Sequence, residues 1–129
     1  MGKKFFDLWT VGHFIFGFLS TSTLLPSSPI LSAIITNLFH LINELMEKSE
    51  SPEGKILETD VNHLGDIIFF FFGSLLGVIY GTKIFSDPKY YLSRYTILFL
   101  SILIYISEIG RELFPYTWTF FDSAYKPIW

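Results

Sequence analysis

Asn37, His40, Glu44 and Glu47 are spaced three, four and three residues apart, which puts all four on one stripe of a helix. A His and a Glu four apart can share a hydrogen bond or hold one cation together, because neutral imidazole and carboxylate are both ordinary ligands of divalent metals. Asn43 stands beside them, and a second group follows at Asn62, His63 and Asp66. Asp7 and His13 lie near the start of the chain, while Ser101, Tyr105, Glu108 and Glu112 form a late stripe with Arg111 as partner to its acids. Brought to one place, such residues have three uses. They could hold a divalent metal, with His40, Glu44 and Asp66 as candidate ligands. They could run acid–base chemistry on His13, His40, Glu44 and Asp66, given carboxylates shifted by burial. Or they could form a polar network in which Asp7, His13, Asn37, His40, Glu44, Asn62 and Asp66 bind one another or a ligand. The compact H-E-x-x-H metal motif is missing, and the chain has no cysteine, which removes thiolate nucleophiles, disulfides and Cys-ligated zinc.

The elements that must position these residues are strongly apolar. Of 129 residues, 50% are hydrophobic, 19% aromatic and only 16% charged, against about 25% charged in soluble domains. A domain this small buries too little surface to hide 15 Phe residues from water, so lipid is the expected solvent. The pattern predicts an all-α fold: one domain over residues 1–129, an integral membrane bundle of four transmembrane helices at about 8–25, 29–46, 63–84 and 91–114. A polar, acidic loop carrying Pro52 and Gly54 joins the second and third.

Pro26 stops the first span, and Pro29 suits the first turn of the next, where its missing N–H costs nothing. The hydroxyls of Ser20, Thr21, Ser22 and Thr23 can bond back to their own helix. Asp60 is the expected cap of the third helix. Gly73, Gly77 and Gly81 recur every fourth residue there, a spacing that lets two helix backbones approach closely in a membrane. The first span reads as an uncleaved helix, since no prompt small-x-small cleavage site follows it.

Four spans put both termini on one side, with Lys3, Lys4, Lys48, Lys55, Arg111 and Lys126; the other side has Lys83, Lys89 and Arg94. Positive-inside counting turns the termini to the cytoplasm. The net charge is -3, and no run of Lys and Arg resembles a nucleic-acid footprint. The expected partners are the lipid bilayer, a lipid or envelope-precursor ligand and, through the glycine face, a second copy of the chain.

Asp7, His13, Glu44 and the string Asn62-His63-Leu64-Gly65 together resemble the VanZ-like family of small integral membrane proteins, known from glycopeptide resistance. Its members carry an early Asp and His, a Glu ending a second helix and an Asn-x-x-Gly entering the next. The chain also resembles a related bacterial family of uncharacterised membrane proteins, with H-x-x-x-G-F, W-E-x-x-E-N-S and N-x-x-x-D followed by Gly. The counterparts here are His13 to Phe18, Asn43 to Ser49, Asn62 to Asp66, and Gly73. The likeness covers roughly the first 80 residues; Asn43 replaces the Trp, Lys48 replaces the Asn, and the arginines of the loop are missing. It implies a membrane bundle whose polar cluster is a site, in a protein acting on the cell envelope or its lipids, and it assigns no reaction. Two other classes compete. One is an intramembrane lipid-directed hydrolase or transferase using His13, His40, Glu44 and Asp66 with a divalent metal. The other is a transporter subunit or assembly factor that oligomerises through Gly73, Gly77 and Gly81.

Overall fold

The structure, a computed structural model, describes residues 5–6, 8–47 and 58–113; for residue 8 and residues 107–113 it describes the backbone alone. Asp7, the loop segment 48–57 and the tail 114–129 lie outside the described residues, as do the side chains of Glu108, Arg111 and Glu112. Four helices carry an all-α fold: α1 (Leu8–Leu24), α2 (Pro29–Met46), α3 (Asp60–Phe85) and α4 (Tyr91–Leu113). Two of them, α2 and α3, are long and apolar enough to cross a membrane.

Local chemistry sets the boundaries. Pro29 occupies the first turn of α2, as its fixed φ favours. Ser32 then ties the α1–α2 hairpin: its hydroxyl donates to the Thr21 carbonyl at 2.6 Å and accepts from the Leu25 N–H at 3.3 Å. The cap of α3 is Thr59 rather than Asp60. The Thr59 side chain accepts from the Asn62 N–H, and Asp60 becomes the first helical residue, where its charge suits the positive end of the helix dipole. The helix therefore begins three residues ahead of the expected 63. Between Gly77 and Gly81 it widens into one π turn before closing at Phe85. Asp87 accepts from the Lys89 N–H at 3.0 Å to start the short 3-10 turn Pro88–Tyr90 that leads into α4.

The bundle is built around α1 and α3, which contact each other more than any other pair. Their closeness depends on glycine. A Cβ at Gly73 would strike the Phe14 carbonyl, and one at Gly17 would strike the Phe70 carbonyl. Gly77 and Gly81 face Phe18, Thr21 and Ser22 in the same way. The glycine face is thus packed against α1 of the same chain.

Burial runs opposite to that of a water-soluble domain. Phe70 is the one large hydrophobic residue fully buried among those described, whereas Thr21, Thr23, Ser32, Asn62, Asp66 and Ser74 are all buried. Outward-facing residues are apolar: Leu92 is 82% exposed, Leu45 77% and Ile30 71%. Polar groups sit inside, in two groups joined by α3.

Candidate functional site

Each helix delivers its part of the site by simple spacing. On α2, His40 and Glu44 are four apart and buried on the inner face. On α3, Asn62 and Asp66 are four apart and buried, with Glu58 one turn earlier at the entry. On α1, His13 comes from a third direction. His13, His40 and Asp66 each lie five or six residues inside a helix end, about 8–9 Å along the axis.

Glu44 is the hub. Its Oε2 accepts a hydrogen bond from His63 Nδ1 at 2.8 Å. Its Oε1 faces His40 Nε2 at 3.6 Å and His13 Nδ1 at 3.8 Å. The other nitrogen of His13 lies 3.7 Å from Asp66 Oδ2. Asn62 Nδ2 donates to Asp66 Oδ2 at 2.7 Å and also to Glu58 Oε1, while Glu58 Oε2 stands 3.8 Å from His63 Nε2. The His40 ring is stacked on Phe70, with centroids 4.0 Å apart and planes at 15°, and the His13 ring centroid is 4.9 Å from it.

Not every buried polar atom is satisfied. His40 Nε2, Glu44 Oε1 and Asn62 Oδ1 are buried without a hydrogen-bond partner. A buried acceptor left unpaired costs about 1–3 kcal/mol, and native interiors hold few of them. At the mouth of the cluster, burial and the nearby Glu47 charge push the Glu58 carboxyl up to about 7, against the pull of His63 and of the Asn62 hydrogen bond. An open cleft of about 340 Å³ between the end of α2 and the start of α3 is lined by Glu44, Glu47, Asp60, His63, Leu64 and Ile67, so Glu44 and His63 are reachable from outside.

Of the residues singled out in the sequence, His13, His40, Glu44, Asn62 and Asp66 come together. Asn37 does not. Its amide donates to the Ala33 carbonyl and to Ser74 Oγ, both at 2.8 Å, in a separate hydroxyl layer. There Thr21 Oγ1 meets Thr36 Oγ1 at 2.8 Å and Ser74 Oγ at 2.9 Å. Ser20, Ser22 and Thr23 bond back to carbonyls of α1. The described part of the late stripe is also elsewhere: Tyr105 reaches the Thr36 carbonyl at 3.5 Å, and Ser101 is buried beside an apolar cavity. His63 and Glu58 are members of the site that sequence reasoning left out of the candidate set. The signal for Glu58 was available, since Glu58, Asn62 and Asp66 form a ladder with steps of four.

Chemically, the arrangement offers three imidazoles and three carboxylates from α1, α2, α3 and the turn just ahead of α3, with an open side at the cleft. Such a set can bind a cation, or pass a proton between His63 and Glu44. Comparison with known protein families, with curated proteins and with solved structures finds no match.

Proposed function

We propose that this chain is a small multi-pass membrane protein of the VanZ-like kind: all four helices cross the bilayer, and the His/Glu/Asn/Asp cluster binds the polar head of a lipid or envelope precursor. One observation carries the reading. The burial pattern is reversed, with Leu, Ile and Phe facing out and a titratable cluster enclosed near one end of the bundle. Hydrocarbon tolerates the first, and ionisable groups at depth face a bundle interior or a ligand pathway. The termini, on this reading, face the cytoplasm.

Two measurements test it. The chain should stay with the membrane through alkaline carbonate extraction; release into the soluble fraction would end the reading. Protein purified in mild detergent should retain a polar-headed lipid by native mass spectrometry, and Glu44→Gln and Asp66→Asn should each reduce that retention at least tenfold. Since the chain has no cysteine, single cysteines placed at Lys89 and at the N-terminus report the orientation by labelling in intact cells.

A second reading has its own observation. The His63–Glu44 hydrogen bond of 2.8 Å beside the open cleft is the geometry of a base oriented by a carboxylate. It fits a lipid-directed hydrolase or transferase. Turnover of a headgroup-labelled phospholipid, lost in His63→Gln, is the discriminating result.

A further inference from the structure

We propose that His13, His40 and Glu44 form a binding site for a divalent transition-metal ion, with Asp66 as the carboxylate that orients the ligands from behind. The inference rests on the reading of this cluster as a ligand site, and it names the ligand's first component.

The three residues offer donor atoms that all lie within 4.8 Å of one another. Oε1 of Glu44 is 3.6 Å from His40 Nε2 and 3.8 Å from His13 Nδ1. Two ligands held at about 2.0–2.1 Å from a tetrahedral ion stand about 3.4 Å apart, so small ring rotations close the site. At 3.6 Å the same pair is too far apart for a hydrogen bond. His40 Nε2 and Glu44 Oε1 are both without a hydrogen-bond partner, on side chains only 4% and 2% exposed. The His40 ring also interacts with the Asp66 backbone, and its Nε2 carries no hydrogen bond. His40 Nε2 and Glu44 Oε1 thus face each other in the buried interior. A cation between them satisfies both.

The atoms on the far side of each ligand support the same assignment. Metal-bound His almost always gives its other ring nitrogen to a carboxylate, a carbonyl or water. His13 turns Nε2 towards Asp66 Oδ2 at 3.7 Å, and His40 turns its ring to the Asp66 backbone. The second oxygen of Glu44 is held by His63 at 2.8 Å. The neighbouring set Glu44, Glu47 and His63 also has the spacing, but its His63 Nδ1 is already committed to Glu44. Two imidazoles and one carboxylate favour zinc, cobalt, iron or nickel over magnesium or calcium. Three protein ligands leave one position for an exchangeable oxygen, as in hydrolytic zinc sites. In this bundle that oxygen would come from water or from an anionic headgroup entering by the cleft.

The test uses the full chain in detergent, stripped with a chelator and titrated with Co²⁺. One equivalent should bind with the visible absorption of a four- or five-coordinate ion, and Zn²⁺ should displace it. His40→Ala and Glu44→Gln should each abolish stoichiometric uptake. Asp66→Asn should weaken it by about 10–100-fold, while Glu47→Gln should keep it at one to one. Because His40→Ala could unfold the bundle, His13→Gln is compared by circular dichroism and should lose the ion with its helix content intact. The proposal is overturned if the wild type shows only the spectrum of hydrated Co²⁺, or if Glu47→Gln abolishes uptake and His13→Gln does not. Retention of lipid without Co²⁺ uptake sinks the metal site alone. Co²⁺ uptake without lipid retention supports the metal site and sinks only the headgroup reading.

Discussion

Two polar regions share the interior of this bundle, and they are built on opposite rules. In the hydroxyl layer, Thr21, Thr36, Asn37 and Ser74 are neutral and hydrogen-bonded to one another or to helix carbonyls at 2.8–2.9 Å. In the cluster around Glu44, the groups are titratable, several separations are 3.6–3.8 Å, and buried atoms of His40, Glu44 and Asn62 have no hydrogen-bond partner. The first region has nothing left to bind. The second opens at one cleft and leaves His40 Nε2, Glu44 Oε1 and Asn62 Oδ1 without a hydrogen bond, as the proposed ligand site requires. The contrast separates polar groups that hold helices together from polar groups held in place by them.

The comparison can be broken by mutation. The largest effect belongs to the scaffold: Gly73→Leu pushes a side chain into the Phe14 carbonyl, and because neither backbone can retreat it should cost about 3 kcal/mol or more in reversible unfolding from detergent. Wild-type stability in that variant would show that α1 and α3 are not as close as described. Thr21→Val is next. It strips the layer of the hydroxyl that joins Thr36 and Ser74, and interhelical hydrogen bonds of this kind average about 0.6 kcal/mol, up to about 1.7. A loss within that range, with Co²⁺ uptake unchanged, sharpens the division between the regions; loss of uptake would erase it.

The pH dependence from Glu58 gives a test of a different kind. Its folded carboxyl titrates near 7, above the ordinary 4.5, so between those values the folded state holds a proton that the unfolded state has released. Its contribution is complete below about pH 4.5 and fades as the pH rises through 7. Glu58 faces His63 and Asn62, with Glu47 and Asp66 also acting on it. Glu58→Gln should flatten the slope of melting temperature between pH 5 and 8, and an unaltered slope would assign the term to other groups. The smallest expected change is in Glu44→Gln without metal. Gln keeps an oxygen that can accept from His63, so the hydrogen bond survives and the melting temperature should stay close to that of the wild type. A large drop would place Glu44 with the hydroxyl layer, as structural glue.

Much of this was legible from spacing. Pro26 and Pro29 marked the end of α1 and the start of α2, and the four-residue steps His40–Glu44 and Asn62–Asp66 placed two halves of the site. Depth along the helix was harder. Asn37 shares the stripe of His40, but it lies one turn deeper, level with Ser74, and so it joined the other region. Glu58 was read with the acidic loop because it precedes the expected cap, Asp60, although its step of four to Asn62 continued the ladder. His63 sits beside Asn62 rather than on its face, and only the approach of α2 brings it to Glu44. Gly17 and Gly65 are single glycines in sequence. Their role appears only when Phe70 of α3 and Phe5 ahead of α1 are laid against them. Covering of the glycine face by α1 was equally a matter of packing, which periodicity does not encode.

Along the inner face of α3 run Asn62, Asp66, Phe70 and Ser74, each one turn from the last. Three are polar and one is a phenyl ring with 0% exposure. In a bilayer, an uninterrupted row of amides, carboxylates and hydroxyls would be a wire along which protons could hop from one face towards the other. Phe70 interrupts that row. On the membrane reading proposed above, shortening it to Ser would join the two halves, and proton flux into vesicles carrying the variant would test whether the ring separates them.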